Sequence, residues 1–292
     1  MKNLMRPGED KWGIMELQNC ILNVAEYFDR LCEENGIDYC LMGGSALGAI
    51  RHKGFIPWDD DLDVFMRPED YRRFREVFRQ KGNHDEFYLQ EWGGGKDASF
   101  AKLRLNKSHL NEPDLEKLDI HKGVYIDIFI LHSCPDSRIG HWWQYLWSRY
   151  LVIKSLANRN YKRHGIMGNL ILQPLRWLPK RVMVDFAIRQ LYKSADKETR
   201  NYCHYLGRAG YTKGLYKSDY FKATKRVPFE TISLRVPAKV EEYLRDRWGD
   251  YMKIPSAEEI AYFQHAAEWD TEHPFRGYAP GKVYKDEKNL IV

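Results

Sequence analysis

Apolar residues recur at three- and four-residue steps through Ile14, Leu17, Ile21, Val24, Phe28 and Leu31, which predicts an amphipathic helix over residues 14–34 stopped by Asn35-Gly36. The run Ile37–Met42 then reads as a short strand leading into Gly43-Gly44-Ser45, with Ser45 placed to cap a helix through Ala46, Leu47, Ala49 and Ile50. Gly54–Trp58 is a turn punctuated by Pro57. Asp59, Asp60, Asp61 and Asp63 stand at the mouth of the apolar run Leu62, Val64, Phe65 and Met66; as a strand that run would place Asp59, Asp61 and Asp63 on one side and Leu62 and Val64 on the other. A helix over 68–80 opens on Pro68. Strands at 87–92 and 98–105 follow, parted by Gly93-Gly94-Gly95, and Val124–Leu131 is the most strand-like segment of the chain. Further helices are expected over 182–205 and 239–247, extended structure over 225–237, and an irregular tail after Ala266. Internal repeats and low-complexity tracts are absent.

The 43% hydrophobic fraction over 292 residues supports one large domain or two ordinary ones, and a net charge of +5 is too mild to imply a nucleic-acid partner. Five cysteines without a paired spacing read as reduced thiols of a cytosolic protein. The first residues carry no apolar stretch of the signal-peptide kind, and no run approaches the ~20 apolar residues of a membrane span. Between Ser137 and Val184 there is no acidic residue against nine basic ones, interleaved with Trp142, Trp143, Trp147 and Trp177. That composition suits a helical region first and peripheral contact with an anionic membrane second.

The chemistry gathers at Asp59, Asp60, Asp61 and Asp63, four carboxylates within five positions. Like charges this close repel unless something neutralises them, and an all-oxygen cluster suits Mg2+ or Mn2+. A solvated acidic turn is the alternative reading. The preceding strand, glycine turn and helix start present backbone N–H groups and a positive dipole end to phosphate at Gly44 and Ser45. Lys102 and Arg104 lie two apart on a strand and face the same way, toward a phosphate or toward solvent. Asp127 sits between Tyr125 and Phe129, opposite the apolar Ile126, Ile128 and Ile130, and is either an edge-strand residue or a third carboxylate of the same site.

The ordered run Gly43-Gly44-Ser45-Ala46-Leu47-Gly48, His52-Lys53-Gly54-Phe55-Ile56-Pro57-Trp58 and Asp59-Asp60-Asp61-Leu62-Asp63-Val64 resembles the LicD family, a branch of the nucleotidyltransferase-fold superfamily that includes phosphocholine transferases. Lys102, Arg104, Gly123–Phe129, Phe229-Glu230 and Trp248-Gly249-Asp250-Tyr251-Met252 extend the resemblance over roughly residues 14–256. One departure is Ile130-Leu131-His132, where the family usually has a proline and soon another aspartate.

The resemblance implies an α+β fold with a nucleotidyltransferase-like mixed sheet flanked by helices, plus the basic, tryptophan-rich helical region. Domains are expected at 1–136 (catalytic core), 137–215 (basic aromatic helices) and 216–292 (completion of the core and tail). It also implies transfer of a phosphate ester, typically phosphocholine from a CDP-activated alcohol, to a glycan or lipid-linked glycan acceptor. On that reading Asp59, Asp61, Asp63 and Asp127 hold Mg2+ or Mn2+, and Asp61, Asp63 and Asp127 are the catalytic residues. Asp127 either completes a two-metal site or takes the acceptor proton. Gly44, Ser45, Lys102 and Arg104 contact substrate; His52 either contacts phosphate or holds a turn, and Trp58 with Tyr125 either shelters a quaternary ammonium by cation–π contact or packs in the core. Two alternatives share the fold: a nucleotidyltransferase moving a nucleoside monophosphate to a small hydroxyl acceptor, and a catalytically silent glycan- or membrane-binding protein.

Overall fold

A computed structural model describes residues 2–93, 97–113, 115–158, 180–207, 210–256, 260 and 268–285. In chain order its helices are α1 (Met15–Glu34), α2 (Gly43–Arg51), α3 (Pro68–Lys81), α4 (Arg138–Asn158), α5 (Lys180–Tyr192) and α6 (Val240–Trp248). Its strands are β1 (Cys40–Leu41), β2 (Asp63–Met66), β3 (Phe87–Trp92), β4 (Phe100–Leu105), β5 (His109–Leu110), β6 (Tyr125–Ile130) and β7 (His132–Cys134). After α4 and α5 come β8 (Asn201–Cys203), β9 (Leu215–Lys217), β10 (Thr224–Phe229), β11 (Ile232–Pro237) and β12 (Trp269–Asp270).

The period-two segments meet in a five-stranded sheet of order β1-β2-β6-β4-β3. The β2–β6 pair is parallel and the other three pairs are antiparallel, so the sheet is mixed and the fold is α+β. β6 is central. Its Ile126, Ile128 and Ile130 are buried in the main core with the α1 stripe of Leu17, Ile21, Val24 and Phe28. Truncating one such isoleucine to alanine costs about 2–5 kcal/mol. The alternate residues Tyr125, Asp127 and Phe129 point to the other side.

Helix α3 begins on Pro68, with Glu69 and Asp70 in its first turn and Arg79 and Lys81 in its last, charges that complement the helix dipole. The hairpin of β10 and β11 accounts for the extended 225–237 stretch and packs on β1. Tail residues 268–285 are mostly turns, as expected, but β12 pairs with β5, and Phe275 and Tyr284 pack on the buried His121 ring. All five cysteines are buried free thiols.

Three expectations need correction. The strand expected from the Leu62–Met66 run starts at Asp63, and adjacent like charges, Pro57 and the low strand propensity of aspartate keep residues 59–62 in a loop, so strand alternation does not set the sides of Asp59 and Asp61. Ser45 is not the cap of α2: the helix starts at Gly43 with Met42 as its N-cap. The helix expected over 182–205 ends at Tyr192, and Asn201–Cys203 instead forms β8, bridging β7 and β9 in a separate three-stranded sheet. Tertiary pairing there overrides a weak helical signal through Ser194, Asp196 and Thr199. Arg159, Lys162, Arg163, Arg176, Trp177, Gly94 and Gly95, which figure in the sequence reading, lie outside the described residues.

Candidate active site

The parallel ladder aligns Asp63 of β2 with Asp127 of β6, and the antiparallel ladder aligns Asp127 with Lys102 of β4. These three side chains form a row across the middle of the sheet, on the side opposite the isoleucines. Asp127 is therefore not an edge residue: a strand hydrogen-bonds on each side of it. Its Oδ1 lies 3.1 Å from Lys102 Nζ.

The loop before β2 brings the remaining carboxylates to the same place. One oxygen each of Asp59, Asp60 and Asp61 lies within 4.8 Å of the others. The buried Gln18 of α1 holds this loop, its Nε2 donating to the carbonyls of Ile56 (3.1 Å) and Asp59 (2.8 Å). Farther back, Glu230 of the β10–β11 turn accepts from the N–H groups of Phe55 (3.0 Å) and Arg6 (3.1 Å).

Helix α2 closes the site from the other direction. Gly43, at φ +52° where residues with a Cβ are strained, donates its N–H to the Tyr243 hydroxyl of α6 at 3.0 Å. The first intrahelical bond runs from Ala46 N–H to Met42 O, so the amides of Gly44 and Ser45 stand outside the helix's own hydrogen bonding. A Cβ on Gly44 would lie 2.8 Å from Asp59 Oδ2, so any larger residue there would displace the Asp59 carboxylate. The Ser45 hydroxyl accepts from Asp63 N–H at 2.8 Å and fixes the start of β2 to the helix.

The electrostatics reflect crowding. Burial raises the Asp63 carboxyl well above the ordinary carboxylate range, and Asp61, Asp127 and Asp59 push it further, against a lowering by Lys102. Asp59 is likewise raised, by burial first and then by Asp61 and Asp60, with Arg51 opposing. Burial also raises Asp127, and here Lys102 is the main opposing influence. Asp63 Oδ1 is buried and has no hydrogen-bond donor among the described residues. A set of crowded, partly desolvated oxygen donors with an orphaned buried oxygen fits a hard divalent cation such as Mg2+ or Mn2+.

The cations of β4 are held from within the protein. Lys102 Nζ lies between Asp127 and Glu112 Oε1 (3.2 Å) and sits 3.2 Å from the centre of the Tyr125 ring. Arg104, expected to meet phosphate, is fully buried. It donates to Gln90 Oε1 (2.7 Å), Gly123 O (2.8 Å) and Glu112 Oε2 (2.8 Å). Burial works to raise the Glu112 carboxyl, but Lys102 and Arg104 outweigh it and bring it down to about 2. His52 is lowered to about 4 by burial and by Arg51, whose Nε donates to His52 Nε2 at 2.9 Å, so the imidazole is neutral at neutral pH. Trp58 is buried edge-on against Trp12 (5.9 Å) and His52 (6.1 Å).

Sequence reasoning passed over Glu112, Gln18 and Tyr243, and named Asp60 among the four carboxylates without including it among the expected ligands. Glu112 had one available signal: two cations on one strand face need an anion. Gln18 could be found as a polar residue within the first turn of a strongly apolar helix stripe. Nothing near Tyr243 in sequence points to Gly43.

A family model described as LicD/FKTN/FKRP, nucleotidyltransferase domain, matches residues 36–152, which contain the whole carboxylate row. The chain is 30% identical over 262 residues to the lipopolysaccharide cholinephosphotransferase LicD of Haemophilus influenzae, covering 85% of this chain and 95% of that protein. It is 39% identical over 120 residues to the ribitol 5-phosphate transferase FKRP of Homo sapiens, covering 40% of this chain and 24% of that one. With the similarity to LicD running nearly end to end, the chain belongs to the LicD family.

Proposed function

We propose that this LicD-type phosphotransferase moves the phosphate ester of a CDP-activated alcohol, with phosphocholine from CDP-choline as first choice, onto a sugar hydroxyl of a cell-surface polysaccharide or glycolipid precursor. The observation that carries the reading is the in-register pairing of Asp63 and Asp127 beside the Asp59–Asp61 loop. The names of the LicD and FKRP relatives, both transferases of an alcohol phosphate, support the choice of reaction class.

Phosphoryl transfer depends on positioning and charge neutralisation more than on covalent chemistry. Asp59, Asp61 and Asp63 would hold a divalent cation, with Asp60 near enough to join them. When bound, that cation supplies positive charge against the donor pyrophosphate. The Gly44 and Ser45 amides at the start of α2 receive phosphate oxygens. Asp127 takes the proton of the acceptor hydroxyl, and its raised pKa suits a general base. The hydroxyl oxygen then bonds to the alcohol-bearing phosphorus, the bond from that phosphorus to the bridging oxygen breaks, and CMP leaves with the electron pair. Lys102 orients Asp127, while Arg104 and Glu112 hold Lys102 in place, a positioning role for cations that are themselves buried.

The reading is tested by following a donor labelled in the alcohol phosphate. Label on the acceptor with unlabelled CMP released is the expected outcome. Transfer of the nucleoside monophosphate instead, or pyrophosphate release from a nucleoside triphosphate, would replace it with a nucleotidyltransferase.

A further inference from the structure

Helices α4 and α5 lie side by side and antiparallel. Gln144 Nε2 donates to Leu191 O at 3.1 Å, Trp143 Nε1 to Gln190 Oε1 at 3.1 Å, and Trp147 meets Phe186 edge-on at 4.7 Å. Their inner sides join the main core through Leu151, Ala187 and Ile188. Their outer sides do not. Ile139 is 85% exposed, Trp142 56% and Val182 71%, with Leu146, Ile153 and Phe186 also exposed.

Ile139, Trp142, Leu146 and Ile153 fall at helical spacing, so they form one stripe about 21 Å long. A contiguous apolar stripe of this kind on a soluble surface marks a place of contact. The charge pattern around it selects the partner. Among the described side chains of the two helices Arg138, Arg181 and Arg189 are exposed, whereas Lys154 is buried and Arg149 donates inward to the Tyr205 and Gly207 carbonyls. Arg138 is exposed at the start of α4 and Arg181 at the start of α5, so the antiparallel packing puts cations at both ends of the stripe. A tryptophan-bearing apolar face framed by cations complements the boundary of an anionic bilayer, where the indole sits at headgroup level and arginines meet phosphate. No helix among the described residues is long and apolar enough to cross a membrane.

We infer that the outer face of α4 and α5 docks on an anionic lipid surface through Ile139, Trp142, Leu146 and Val182. The inference does not depend on the donor chemistry, because the face is separate from the carboxylate row.

The test is co-sedimentation of the full chain with vesicles of phosphatidylglycerol and phosphatidylethanolamine, against vesicles of phosphatidylcholine alone. Binding to the anionic vesicles is expected, with an Ile139→Glu/Trp142→Glu double variant partitioning about tenfold more weakly. Its melting temperature and its CMP release from a soluble donor should be unchanged. Arg138→Glu with Arg181→Glu, which alters no apolar contact, should also weaken binding and make what remains insensitive to salt. Absence of binding by the wild type, or equal binding by both variants, would overturn the inference. So would a wild-type dimer that the Trp142 substitution converts to monomer, since the face would then belong to a second copy of the chain.

Discussion

Asp63 on β2 and Asp127 on β6 stand opposite each other in a parallel ladder, two half-buried carboxyl groups on one side of the sheet with Lys102 next in the row. One lysine cannot balance this pair together with Asp59 and Asp61. The excess negative charge shows as raised proton affinities at Asp59, Asp63 and Asp127.

That excess predicts an inverted pH dependence without divalent ions. A carboxyl whose folded pKa lies above its unfolded value binds protons more tightly when folded. Its contribution is therefore greatest below the unfolded pKa and is lost as pH rises through the folded one. The metal-free protein should melt higher at the lower of two pH values set above the ordinary carboxylate value of 3.8. Mg2+ at about tenfold over its Kd should add about 1.4 kcal/mol, roughly 2 °C, with the larger gain at the higher pH. Differential scanning calorimetry with EDTA or Mg2+ at the two pH values checks this. A melting temperature indifferent to Mg2+ at both would count against the cation site.

Gly44 separates the site from the fold. Alanine there favours the helix by about 1 kcal/mol, yet its Cβ would meet Asp59 Oδ2 at 2.8 Å. Gly44→Ala should leave the melting temperature unchanged or slightly raised while activity falls at least about tenfold. An alanine variant with full activity would mean that the Asp59 carboxylate is not needed where it stands.

Glu112 is the anion for two buried cations. Glu112→Gln leaves Lys102 and Arg104 with uncompensated charge and should cost about 3 kcal/mol, read by urea denaturation. The carboxyl is held at about 2 against an ordinary 4.5, so its contribution is complete above the ordinary value and is lost as pH falls toward about 2. The stability gap between wild type and variant should accordingly narrow over that range. A gap independent of pH would assign the loss to packing.

What could be read from the sequence follows the strength of local periodicity. Helix α1 was legible because six apolar residues repeat without interruption, and β6 because its isoleucines alternate with Tyr125, Asp127 and Phe129. That alternation also singled out Asp127 as a carboxylate on the non-core face. Its partner in the ladder was not legible, since strand register comes from non-local packing. Strand alternation was carried back from the Leu62–Met66 run to Asp59 and Asp61, which grouped them by an incorrect geometry, and Asp60 was left out of the expected ligands. Lys102 and Arg104 were correctly placed on one face, but Glu112, which binds both, lies in an irregular segment without a pattern. Asn201–Cys203 carries too little strand signal to reveal β8, whose place is set by β7 and β9.

The most direct measurement of the central claim is CMP release with Mg2+ from CDP-choline, CDP-ethanolamine, CDP-ribitol and CDP-glycerol, for wild type and Asp63→Asn, with nucleoside triphosphates alongside. Asparagine preserves the shape of the side chain and removes its charge. The account predicts Mg2+-dependent CMP from one CDP-alcohol, lost at least about a thousandfold in a folded Asp63→Asn protein. Full activity of Asp63→Asn, or turnover of a triphosphate with none of any CDP-alcohol, would contradict it.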